Sequence, residues 1–237
     1  MPSNNRKIVA IHQPNFFPWL GYFDKIARSD TFIFMDNAQF PKTGGTWINR
    51  VRLLLNGSAA WVTVPVIRSY SGFRLIHEME INDLTDWRGK FFKTIQANYA
   101  KAPFYKQSIP LISELVNNPT KSIADFNIQI ITRFCAQLGI DAGRLVRGST
   151  LDTRGTSTDL LISMTKTVSG NIYMCGGGSE GYQEDDKFSA SGVELRYQTF
   201  SHPVYAQTRT SQFVAGLSIL DAVFNIGFEE LSYLIVK

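Results

Sequence analysis

Apolar and polar positions along the chain fall into short strand-like runs at both ends and helical spacing in the middle. Ile8–Ile11 and Thr31–Met35 are brief apolar runs that stop at polar residues, His12 and Asp36. Trp47–Leu55 and Ala60–Val66 follow, with Asn56-Gly57 between them, a strong hairpin signal. Ile76–Ile81 reads as a further short strand. Thr85 or Asp86 then offers a cap for a helix over Trp87–Tyr99, where Phe91, Ile95 and Tyr99 recur every four residues until Pro103. Ile109–Val116 reads as a short helix. Ser122–Leu138 carries Ile123, Phe126, Ile130, Ile131 and Phe134 on one face, and Gly139 supplies a stop.

Beyond that point the strand pattern returns. Ile140–Arg147 is strand-like, Thr158–Val168 helical, and Asn171–Cys175 a strand that feeds the glycine-rich loop Gly176–Tyr182. A short helix is predicted over Asp185–Ser191 and a strand over Val193–Phe200. Ser201–Gln207 has no periodicity, and a last amphipathic helix runs over about Ser218–Asn225, ahead of Gly227. Strands interleaved with helices, without repeats or linkers, predict one compact α/β domain over residues 1–237. Its sheet is expected to be mainly parallel and Rossmann-like, with a helical insertion at about 84–138 that covers a cleft.

Composition changes this picture little. Of 237 residues, 44% are hydrophobic and 19% charged, ordinary for a soluble globular chain. A net charge of +4 suits an anionic small-molecule ligand, but the Lys and Arg form no dense stripe of the nucleic-acid kind. No apolar run approaches the ~20 residues of a membrane helix. No signal peptide is read at the N-terminus, so a cytoplasmic location is expected. The two cysteines, Cys135 and Cys175, stand in unrelated contexts, and neither a disulfide framework nor a metal pattern is read. The sequence leaves the cofactor and the oligomeric state open.

Candidate chemistry concentrates where strands end. His12-Gln13 leaves the first strand into a turn shaped by Pro14, Pro18 and Gly21, the place where an α/β sheet holds ligands. His12 there is an acid–base candidate or a phosphate donor, with turn capping as its plain structural role. Gln13, Asn15, Trp19 and Tyr22 crowd beside it as binding candidates. Asp36 ends the second strand as a candidate for holding a hydroxyl, an amine or a metal, or for making an Asx-turn. Gln39, Lys42, Asn49 and Arg50 follow, a polar and basic stretch suited to phosphate or carboxylate. Gly176, Gly177 and Gly178, with Tyr182, resemble a phosphate cradle in composition only, since the P-loop lysine and hydroxyl are missing. His202, Tyr205 and Gln207 repeat the polar–aromatic mixture, and a shared cleft for His12 and His202 would make an acid–base pair. Asp221, in a largely apolar helix, needs a partner, most simply a structural one. Neither a Gly-x-Ser-x-Gly elbow nor a Gly-x-Gly-x-x-Gly fingerprint after the first strand is present, which disfavours serine hydrolases and dehydrogenases.

Several longer signatures together resemble the WbqC-like proteins of bacteria. They are Gln13-Pro-x-x-Phe-Pro-Trp-x-Gly-Tyr-Phe23, Trp47-x-Asn-Arg50, Trp61-x-Thr-Val-Pro-Val66, Asn98-Tyr-x-Lys-Ala-Pro103, His202-Pro-x-Tyr-x-Gln207 and Leu217-Ser-Ile-Leu-Asp-x-x-Phe-Asn-x-Gly227. Asn37 and Gln183-Glu184 depart from the expected pattern. The resemblance implies a setting in O-antigen or other surface-polysaccharide synthesis. Acyl or aminoacyl transfer to the amine of a nucleotide-linked amino sugar is the expected activity, with His12, Asp36 and His202 catalytic. A more distant likeness places Pro18-Trp-Leu-Gly-Tyr22 where nucleotidylyltransferases and class I synthetases carry Pro-x-His-x-Gly-His, with Trp19 and Tyr22 in place of both histidines. The alternatives are therefore a nucleotidylyltransferase or adenylate-forming ligase, and a non-catalytic sugar-nucleotide binding protein. The expected partner is a small anionic molecule, a nucleotide-sugar or an amino acid.

Overall fold

The computed structural model describes residues 6–176 and 184–235. Its centre is a five-stranded sheet of β1 (Ile8–His12), β2 (Thr31–Phe34), β5 (Leu145–Arg147), β6 (Ile172–Cys175) and β7 (Glu194–Tyr197). The order across the sheet is β5-β2-β1-β6-β7 and every pairing is parallel. Counting only these strands along the chain, that is 3-2-1-4-5, the order of a Rossmann-like sheet. It reverses direction between β1 and β6, and the carboxyl ends of the strands there form the ligand crevice of such folds.

Parallel strands are covered on both faces, which explains why these read as unbroken apolar runs. Successive side chains alternate between faces. Ala10, Phe32, Phe34 and Met174 enter the larger apolar layer, whereas Val9, Ile11, Ile33, Tyr173 and Cys175 enter a smaller one. The larger layer joins α1 (Leu20–Ala27), the insertion helices α2 (Trp87–Tyr99), α3 (Tyr105–Val116) and α4 (Ile123–Gln137), and the C-terminal α7 (Ile219–Ile235). The smaller layer holds α5 (Ser157–Thr167) and α6 (Asp185–Ala190). A separate antiparallel hairpin, β3 (Arg50–Leu55) and β4 (Ser58–Thr63), turns at Asn56-Gly57, both with positive φ of 51° and 80°.

Two expected elements change. Ile76–Ile81 is a 3₁₀ turn over Ile76–Glu78 with an isolated bridge from Ile81 to Val66, because the Glu78 carboxylate accepts the Leu75 N–H and closes the turn. Only Leu145–Arg147 of the segment from Ile140 is strand. Asp141 accepts the Gly143 N–H and winds the preceding residues into another 3₁₀ turn. The last helix breaks at Gly227 as expected, where φ 75° and ψ 173° are non-helical, and a second helical stretch within α7 follows it and buries Leu231 and Ile235. Among the described residues no helix is long and apolar enough to cross a membrane.

Candidate functional site

The turn from β1 into α1 stands at the sheet's switch point, and its shape is over-determined. Phe17 has a positive φ of 38°, a strained conformation for a bulky residue. Its ring is held by Phe91 and Phe134, and its carbonyl accepts the Ser218 hydroxyl at 2.8 Å. From α4, the buried Asn127 amide donates to both the Pro14 carbonyl (2.9 Å) and the Ile48 carbonyl (2.7 Å). The Phe16 N–H donates to the Trp47 carbonyl at 2.9 Å. The insertion expected to cover a cleft thus braces this turn.

His12 ends β1 as a half-buried residue. Its Nδ1 lies 3.2 Å from the Gln13 carbonyl, which can only accept, so Nδ1 carries the hydrogen and Nε2 presents a bare lone pair. Tyr22 donates its hydroxyl to the same carbonyl at 2.9 Å and meets the His12 ring edge-on at 4.9 Å. Burial, and then the charge of Lys25, lower the His12 pKa from 6.5 to about 3, so the imidazole is neutral at physiological pH.

Lys25 was not legible as a site residue. It is 3% exposed and donates to the Ile11 carbonyl at 3.0 Å, just past the last β1–β6 pair. Burial brings its pKa down to about 8. The missed signal is helical: Lys25 lies three residues after Tyr22 and so shares its face.

The remaining sequence candidates divide. Gln13 is half-buried, and among the described residues its side-chain amide has no hydrogen bond; Asn15 is buried with its Oδ1 unpartnered. Trp19 lies over Gly21, where a Cβ would come 2.1 Å from the indole, and packs on His202 at 5.4 Å. His202 and His12 thus flank the first turn of α1, but no hydrogen bond or ring contact joins them among the described residues. Gly176 follows β6 at the crevice, whereas Gly177, Gly178 and Tyr182 lie outside the described residues.

Asp36, a catalytic candidate from the sequence, makes no hydrogen bond to His12 among the described residues, where His12 Nδ1 meets the Gln13 carbonyl instead. Asp36 is fully buried and its carboxylate is taken up by the Ser149 N–H (2.7 Å), the Ser149 hydroxyl (2.8 Å) and Arg147 (2.9 Å). Tyr205 and Gln207 likewise turn to structure. Both donate to the buried Asp221 at 2.8 Å, and Tyr99 adds a third bond at 3.0 Å. Asp221 therefore has the partners its burial demands, although burial still pushes its pKa up. Asn49 is also occupied, accepting from the Thr46 N–H and donating to the Val64 carbonyl. Gln39 is exposed, and Lys42 sits 5.7 Å above the Tyr70 ring.

Arg50 leans on Trp61, its guanidinium carbon 4.1 Å from the ring centroid, with a buried Nε that lacks a partner. Such an orphan donor costs about 1–3 kcal/mol unless a ligand satisfies it. Arg52 shares that ring at 6.0 Å and Trp47 packs edge-on to it at 4.7 Å. The sequence did hold this signal, because Arg50 and Arg52 are two apart on a strand and must share a face.

The end of β1 therefore presents a neutral histidine acceptor and a buried lysine, and the β3–β4 hairpin carries two arginines, Arg50 and Arg52, that have no acidic partner among the described residues. The description "WbqC-like protein family" is that of the family model matching residues 13–233. A Mycobacterium tuberculosis (strain ATCC 25618 / H37Rv) protein, "Uncharacterized protein Rv1507c", is 29% identical over 231 residues, covering 96% of this chain and 97% of its own. No solved structure gives a significant match. With the family signature running from the β1–α1 turn to the C-terminal helix, the chain belongs to the WbqC-like protein family.

Proposed function

We propose that the protein is a transferase that places an acyl or aminoacyl group on the amine of a nucleotide-linked amino sugar, a building block of surface polysaccharide. The observation that carries the reading is His12 at the carboxyl end of β1, neutral and with Nε2 free to accept a proton. In the step proposed, the sugar amine attacks the donor's carbonyl carbon and the new C–N bond forms. His12 takes the proton from nitrogen and returns it to the leaving group as the bond to carbon breaks. With a pKa of about 3 the free imidazole is a weak base, and a bound phosphate nearby would raise it towards the working range. Trp19 and Tyr22 argue against nucleotidyl transfer. One is packed over Gly21 and the other is hydrogen-bonded to Gln13, so neither replaces a phosphate-binding histidine.

The test is a thermal-shift screen against nucleotide-sugars, triphosphates, coenzyme A thioesters and amino acids, followed by a transfer assay with the ligands that stabilise. A ligand at 100 times its Kd adds about 2.7 kcal/mol. His12→Ala is expected to lower turnover about 100- to 10,000-fold. Full turnover in that variant removes His12 from the mechanism, and pyrophosphate release from a triphosphate replaces this reading with nucleotidyl transfer.

A further inference from the structure

The transferase reading needs somewhere to hold the charge of a nucleotide-linked substrate, and the outer face of the β3–β4 hairpin carries groups that no structural role absorbs. We propose that Arg50, Arg52 and Trp61 form a subsite for a diphosphate. The identification of that diphosphate as part of a nucleotide-linked sugar rests on the transferase reading; the anion site itself does not.

Arg50 and Arg52 leave one face of β3, their backbone positions about 7 Å apart. That spacing suits two linked phosphates better than one. Both guanidinium groups lie on Trp61, at 4.1 and 6.0 Å from its centroid, and Trp61 pairs directly with Arg52 across the hairpin. An aromatic ring covers a guanidinium face while leaving its in-plane N–H groups free, the arrangement in which arginine grips phosphate. Among the described residues neither arginine has an acidic partner or a side-chain hydrogen bond. Arg147 and Arg88, by contrast, are paired with aspartates.

The seat of Arg50 is shaped by an absent side chain. A Cβ on Gly45 would stand 2.6 Å from Arg50 Cδ and 2.8 Å from Nη1. The cluster also adjoins the turn that carries His12. Trp47 accepts the Phe16 N–H, the Arg52 carbonyl accepts the Ser218 N–H at 2.9 Å, and Ser218 bridges to Trp19.

The experiment is calorimetric titration of the full chain with inorganic pyrophosphate, and in parallel with a nucleoside diphosphate and its nucleoside. Wild type should bind both diphosphates and not the nucleoside alone. Arg52→Ala should weaken binding about ten- to hundredfold. Gly45→Ala should weaken it too, with charge unchanged, whereas Lys93→Ala on the exposed side of α2 should leave it as it was. Unchanged affinity in Arg52→Ala, no pyrophosphate binding by wild type at millimolar concentration, or equal weakening in Lys93→Ala each overturns the subsite. Absence of acyl transfer while pyrophosphate binding follows this pattern counts against the transferase reading alone.

Discussion

Acidification should destabilise this protein through His12 in particular. Folding lowers the pKa of His12 from 6.5 to about 3, through burial first and then the Lys25 charge. Between those values the unfolded chain binds a proton that the folded protein excludes. The His12 contribution is therefore intact above about pH 6.5 and is lost progressively as pH falls towards 3. Integrating the difference in proton binding between pH 7 and pH 5 gives about 2 kcal/mol. In a chain of this size that corresponds to a Tm change of about 4–8 °C. The assay is urea unfolding of wild type and His12→Gln at pH 7, 6 and 5. His77 and His202 are common to both proteins, so the difference of differences isolates His12. Wild type should lose about 2 kcal/mol more than the variant over this range; parallel pH profiles would refute the account of His12 as an imidazole held neutral by the fold.

Lys25→Met removes the positive charge that helps hold His12 neutral, so NMR titration of the imidazole should show its pKa rising above about 3; an unmoved titration would exclude that coupling. Asp36→Asn leaves Arg147 and Ser149 without their carboxylate. Because the Arg147 side chain is 37% exposed, the expected loss is discounted to about 1–3 kcal/mol by denaturant unfolding, and an unchanged midpoint would mean the contacts contribute nothing net. Gly148→Ala would place a Cβ 2.9 Å from the Phe34 carbonyl oxygen and 3.1 Å from Met164 Cε, so a Tm drop matching about 1–3 kcal/mol of overpacking is expected.

The alternation of apolar runs and helical spacing by itself determined the α/β class, the hairpin at Asn56-Gly57, a helix cap at Thr85 or Asp86, of which the structure uses Asp86, and the turn after β1 as the place to look. These are local properties, set by side-chain period, turn residues and capping groups within a few positions of one another. The stop at Gly227 was legible, but the second helical stretch after it was not, since its place is set by burial of Leu231 and Ile235 in the core. The fate of each polar candidate was decided by long-range packing. Asp36 meets Ser149, Tyr205 meets Asp221, and Lys25 is folded beneath the end of β1. A carboxylate reads the same in sequence whether it awaits a substrate or already holds a guanidinium. Only the tertiary structure counts its hydrogen bonds, because the partners that desolvate and saturate it come from distant parts of the chain.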